Sequence, residues 1–206
     1  MMLALLKKDF RNACASIGPA IMLGIPMLLI IEFTQSSTST VSWRSAFWLT
    51  YFFGSTALYF RSFGLENRFK NFHFYTAFKI SRLKIFLSQA IIQFLAAFLM
   101  GCFYLLMTVF FFSPTDLDAR HFVELIALTS LTLAPIGTVL GLMLQLEREF
   151  LFSIVYLPLA TPVILASFSL SLGLEGSWLY VLLSFLVGGA FLSAAIFEFF
   201  FDDLSA

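Results

Sequence analysis

Residues 85–115 read IFLSQAIIQFLAAFLMGCFYLLMTVFFFSPT, a run without one charged side chain. A hydrocarbon core of about 30 Å needs roughly 20 mostly apolar residues per crossing helix, so this run is long enough to span a bilayer. Five further charge-free stretches flank it, at 12–31, 45–60, 125–146, 150–174 and 176–197. Together they use up most of the 206 residues, and they predict an all-α membrane protein of six transmembrane helices in a single domain over 1–206. A membrane β-barrel would need alternating segments of about ten residues, and the chain has none.

Only 12% of the residues are charged, against the roughly 25% usual in soluble domains, and 28 are Phe. Cys14 and Cys102 stand apart, with no CxxC or Cys/His spacing, so neither a disulfide framework nor a metal motif is read. The start, MMLALLKKDFRNACAS, lacks the basic-then-apolar order of a signal peptide and is expected to be retained. Over residues 1–16, Leu3, Leu5, Leu6 and Phe10 fall roughly opposite Lys7, Lys8 and Arg11, which predicts an amphipathic helix lying at the membrane interface.

The formal net charge of zero conceals an asymmetry. With loops assigned alternately to the two sides, ten of the twelve basic residues share one side: Lys7, Lys8, Arg11, Arg61, Arg68, Lys70, Lys79, Arg82, Lys84 and Arg148. Arg44 and Arg120 fall on the other. The positive-inside rule then predicts cytoplasmic N- and C-termini.

Several helices carry residues that ask for close neighbours. Gly18, Pro19, Gly24 and Pro26 lie in helix 1, Pro135, Gly137 and Gly141 in helix 4, Pro158 and Pro162 in helix 5, and Gly188-Gly189 in helix 6. Pro158, Pro162, Gly137 and Gly141 are read as kink and packing positions. Gln89 and Gln93 share a face of helix 3 at i, i+4 spacing, as interhelical hydrogen-bonding groups or as the lining of a polar path.

Reactive chemistry is sparse. No HExxH, GxSxG or GxxxxGK[ST] motif occurs, so no catalytic role and no ATP binding by this route are expected. Among the ionisable residues only Glu198 falls inside an expected span, near its inner end, which disfavours a self-driven proton- or sodium-coupled carrier. No metal or nucleic-acid partner is expected. His121 precedes Glu124 by three residues at the outer start of helix 4; the pair is read as an interfacial one facing water, with haem ligation by His121 as the alternative.

The segment 61–84, RSFGLENRFKNFHFYTAFKISRLK, is the one sizeable cytoplasmic element, and it mixes six basic residues with aromatics. Lysine alone would suit anionic lipid, but aromatic and arginine side chains are typical anchors of protein contacts, so a soluble partner is expected there. Phe63, Glu66, Arg68, Lys70, Phe72 and Tyr75 are the candidate contact residues.

LLKKDFRNA at the start, six spans, the 2–3 loop, TLAPIGTVLGLML at 132–144 and YLPLATPVILA at 156–166 form a pattern that resembles the CcmB family, the haem exporter B membrane subunits. Leu157-Pro158-Leu159 followed by Pro162 matches that family's LPL-x-x-P segment, and Gly137 and Gly141 fall at its glycine-bearing stretch. The resemblance runs nearly end to end. In the 2–3 loop Phe63 and Glu66 are kept, but RFKNFHFYTAFKISR stands where relatives carry an acidic, glycine-containing and then proline-bearing stretch. The resemblance implies an ABC-2-type permease fold in a bacterial inner membrane. It also implies a cytoplasmic CcmA-like ATPase that binds the ATP and docks on 61–84, and CcmC-like, CcmD-like and CcmE-like membrane partners. Haem would be a possible cargo in cytochrome c maturation, with no cofactor held by this chain itself. An ABC-2 permease for another substrate is the alternative.

Overall fold

Leu, Phe and Ala dominate the charge-free stretches, and in lipid a segment must satisfy its own backbone, so the local outcome is helix throughout. The computed structural model describes residues 2–35, 42–68, 81–145, 149–174 and 176–205, with side chains over 10–11, 14–31, 42–62, 81–141, 155–174 and 176–199. Six helices result: α1 (Met2–Gln35), α2 (Trp43–Arg68), α3 (Arg82–Phe112), α4 (Ala119–Gln145), α5 (Glu149–Ser171) and α6 (Ser177–Ser205). There is no strand among the described residues.

Four helices are long and apolar enough to cross a membrane, through Cys14–Ile31, Arg82–Phe112, Ala119–Gly141 and Ser177–Phe199. The apolar part of α5, Val155–Ser171, is shorter. Helix α2 carries Arg44 near its start and Arg61, Glu66 and Arg68 toward its end, so its charge-free part is only 45–60.

One expectation is corrected. The interfacial helix over 1–16 and the first span are one uninterrupted helix, with Pro19 and Pro26 inside it. Nothing between Met2 and Ile17 ends a helix, since that stretch has neither Gly nor Pro, and one proline removes one backbone hydrogen bond without stopping the coil. The segment 61–84 begins inside α2, which runs to Arg68, and ends inside α3, which starts at Arg82.

The turns have local causes. Helix α3 ends at Ser113 in a left-handed conformation (φ 43°), whose N–H donates to the Val109 carbonyl at 3.0 Å. Asp118 then caps α4, its Oδ1 accepting from the backbone N–H of Arg120 at 3.2 Å and of His121 at 3.3 Å. Helix α5 closes on Gly173 at φ +77°: Gly173 N–H donates to Leu170 O and Leu174 N–H to Ser169 O, the paired bonds that end a helix when the residue after it turns left-handed.

Cross-helix bonds fix the helix directions. Trp43 Nε1 donates to Asp116 Oδ1 at 2.9 Å and Trp48 Nε1 to Ser171 Oγ at 3.1 Å, placing the start of α2, the α3–α4 turn and the end of α5 together. At the opposite end Gln93 Nε2 donates to Ser62 Oγ at 2.7 Å, and Arg82 reaches the Glu198 carbonyl. Helix α4 is central, with 72% of its span buried inside the bundle, whereas α6 is peripheral at 11%.

The first of these ends carries an ion pair. Arg44 Nη2 lies 2.7 Å from Asp116 Oδ2, with its guanidinium over the Trp43 ring at 4.6 Å. The hydrogen bond from Trp43, and then that from Arg44, hold the Asp116 carboxyl below the usual carboxylate range. A pKa depressed by folding gives stability that is present above the unfolded value of about 3.9 and lost as pH falls through the folded one. The melting-temperature gap between the parent protein and Asp116→Asn is therefore expected to be full at neutral pH and to close under acid, below about pH 4. A gap unchanged across that range would contradict the assignment.

Candidate functional site

On α2 the residues Trp48, Tyr51, Ser55, Tyr59 and Ser62 recur at three- and four-residue intervals, which puts them on one helix face. The rest of the fold turns this face into a buried polar seam. Trp48 bonds Ser171 of α5, Tyr51 Oη lies 2.7 Å from Ser130 Oγ of α4, Ser55 Oγ 2.9 Å from Tyr156 Oη of α5, and Ser62 accepts from Gln93 of α3. From Trp48 to Ser62 the seam climbs about 21 Å at roughly 1.5 Å per residue, most of a hydrocarbon core.

Proton counting fixes the direction of the ambiguous bonds. Ser55 spends its single hydroxyl proton on the Phe52 carbonyl at 2.8 Å, so Tyr156 is the donor to Ser55. Ser130 spends its proton on the Ile126 carbonyl at 2.6 Å, so Tyr51 is the donor to Ser130. Interhelical hydrogen bonds in a bilayer average about 0.6 kcal/mol each. The seam therefore sets the rotation of α2 more than it holds the bundle together.

Glycine makes room for the rings. A Cβ on Gly101 would come within 2.9 Å of the Tyr51 ring, one on Gly137 within 2.8 Å of the Tyr59 ring, and those on Gly24 and Gly54 within 2.4 and 2.5 Å of Tyr104. Tyr104 Oη also donates to the Ala20 carbonyl of α1 at 2.7 Å. Gly137, expected as a packing position, thus seats a tyrosine of α2. Gly141 is buried on the same helix, while Pro158 is exposed and Pro162 half-buried on α5. A Cβ on Gly189 would stand 3.5 Å from the Ile136 side chain, in ordinary contact, while one on Gly188 would meet nothing within 4 Å.

Gln89 and Gln93 are both buried, so their shared face points into the bundle. The side chains of Phe63, Glu66 and Arg68, and the residues Lys70, Phe72 and Tyr75 entirely, lie outside what the structure describes. His121 is exposed, and Glu124 Oε1 pairs with Arg120 Nε at 3.1 Å. Among the described residues no group of three or more His, Cys, Asp or Glu side chains is close enough to hold a metal.

Two apolar grooves open on the outer surface. One of about 250 Å³ lies between α2 and α5 at Trp48, Phe52 and Phe168. Another of about 410 Å³ runs between α4, α5 and α6 at Leu140, Leu159, Phe185 and Gly188. Their polar lining is hydroxyl only, Ser45 and Thr161 in the first and Ser184 and Ser193 in the second. Every buried polar side chain among the described residues is a Ser, Thr or Gln, and the buried aromatics add Tyr and Trp; none is ionised at neutral pH.

Comparison of the chain with protein-family models, with curated proteins and with solved structures finds no match in any of the three.

The seam is what sequence reading missed. Its signal was present on α2 as a period of hydroxyl and aromatic residues, masked there by the hydrophobicity of the same aromatics.

Proposed function

We propose that this chain is a non-catalytic, multi-spanning membrane subunit whose work is driven by a separate soluble ATPase, in the manner of an ABC-2 permease. The observation that carries this reading is the chemistry of the interior. Its buried groups hydrogen-bond from helix to helix, yet none of those described is charged. A carrier that draws its own energy from protons or sodium generally keeps an ionisable residue at membrane depth. A bundle without one needs energy supplied from outside, and the basic, aromatic segment 61–84 at the end of α2 offers a soluble partner its grip.

The narrower reading rests on the resemblance to CcmB alone: an inner-membrane subunit with cytoplasmic termini, paired with a CcmA-like ATPase and CcmC-, CcmD- and CcmE-like proteins. In it, ATP hydrolysis in the partner drives haem export or release of the haem-loaded chaperone, and α1, α5 and α6 pass the motion outward.

Charge reversal tests the docking step. Arg68→Glu combined with Lys70→Glu is expected to weaken association with the ATPase about tenfold, equivalent to about 1.4 kcal/mol, and to lower ATP-dependent cytochrome c assembly with it. The amount of chain in the membrane should stay the same. Assembly that proceeds at the parent rate with the doubly reversed chain would exclude docking at 61–84.

A further inference from the structure

Hydroxyl side chains inside these helices usually bond their own backbone. Ser130, Thr132, Thr138 and Thr161 each donate to the carbonyl four residues back, at 2.6–2.8 Å. Ser193 of α6 does not, and it has no hydrogen-bond partner among the described residues although it is only 5% exposed. It lines the larger groove, of about 410 Å³, between α4, α5 and α6. A hydroxyl held in an apolar cleft without a partner is unfavourable, so what fills the groove is expected to bring an acceptor.

The depth of the groove identifies the filler. At one end it reaches Ser193, Leu140 and Val155, on the side of the bundle where Arg82 meets the Glu198 carbonyl. Glu198 is exposed and carries a carboxylate, which belongs in the headgroup layer, roughly 5–7 Å thick on each side of the hydrocarbon core. Ser193 lies five residues along α6 from Glu198, about 7.5 Å deeper at 1.5 Å per residue, where headgroups give way to hydrocarbon. Phospholipid chains carry their ester carbonyls at this level. From there the groove runs past Leu159 and Gly188 to Ser184, nine residues on and about 13.5 Å away, close to half of a core of about 30 Å. A chain from one leaflet has that reach. Gly188 keeps the floor clear, since a Cβ on it would meet nothing within 4 Å.

We propose that this groove is a binding site for one acyl chain of a phospholipid from the leaflet on the Glu198 side, with Ser193 Oγ donating to the ester carbonyl. The chain lies lengthwise along α6 against Leu140, Val155 and Leu159 and closes the cleft that the three helices leave. The site needs α6 to lie in a bilayer, and it does not rest on the pairing with an ATPase.

The test uses the full chain in phosphatidylglycerol nanodiscs doped with a phospholipid that carries a diazirine midway along one ester-linked chain. After irradiation, mass spectrometry maps the adducts. Labelling by bulk lipid follows exposure and favours Leu99 of α3, 52% exposed, over Leu140, 3% exposed. The site predicts the reverse, with adducts at Leu140 and Leu159 about tenfold above those at Leu99, and Gly188→Leu, which fills the groove, removes the excess. Ser193→Ala should lower it about threefold, the worth of one hydrogen bond in a bilayer. A diether probe without the carbonyl should show that same loss in the parent and none further in Ser193→Ala. Adducts no more frequent at Leu140 and Leu159 than at Leu99 would overturn the site, and equal labelling by the ester and diether probes would overturn the contact with Ser193. If melting shows that Gly188→Leu unfolds, the ester and diether probes on the parent chain decide alone.

Discussion

Gly24→Ala and Gly54→Ala are each expected to destabilise the bundle by about 1–3 kcal/mol, the usual cost of forcing volume into a packed core. The reason is geometric. Either new Cβ would stand within 2.4–2.5 Å of the outer end of the Tyr104 side chain. A side chain with free space could move aside, but Tyr104 lies between the two glycines and is tied to the Ala20 carbonyl. A shift away from α1 drives it into α2, and the reverse. The clash therefore belongs to Tyr104 rather than to the helix backbones. Tyr104→Ala alone should cost about 3–5 kcal/mol through the cavity it leaves. In that background Gly24→Ala should cost nothing more, and any filling of the cavity works in its favour. Melting of the four proteins of this cycle in one detergent measures the coupling. Additive losses would mean that Gly24 matters for a reason other than the tyrosine.

Val187→Asp should lower the membrane-integrated fraction of the chain by disfavouring insertion of α6. Val187 is 56% exposed and sits near the middle of the Ser177–Phe199 span. In a water-soluble bundle an aspartate at an exposed position would be harmless. At the centre of a lipid-facing helix it costs about 2.5–3.5 kcal/mol on insertion scales, enough to expel a single span or to redirect the topology. The membrane-integrated fraction after alkaline extraction is the readout. Full retention of the variant in the membrane, with melting unchanged, would count against the reading of α6 as a lipid-facing span.

Much of the fold was legible because one physical signal dominates it. Charge-free runs of adequate length give helices. The first helix was divided wrongly because an amphipathic start followed by glycine and proline reads as two elements, while the helix continues past Pro19 with one backbone hydrogen bond missing. Gln89 and Gln93 were legible as interior groups, since two amides one turn apart have no other place to go in lipid. The tyrosine–glycine pairs were not. Gly137 and Tyr59 lie on different helices, and their partnership depends on the relative rotation of α2 and α4, which no local pattern encodes. The seam needed the same information, since each hydroxyl of α2 finds its acceptor or donor on α3, α4 or α5.

The central claim is that this chain works on energy supplied by another protein. Affinity purification of the full chain from its native membrane, with the amounts of co-purifying proteins measured, addresses it directly. A soluble ATPase recovered in fixed stoichiometry, and lost with Arg68→Glu and Lys70→Glu, is the predicted result. A chain that purifies without any nucleotide-hydrolysing protein, from membranes where its activity survives ATP depletion, would contradict it.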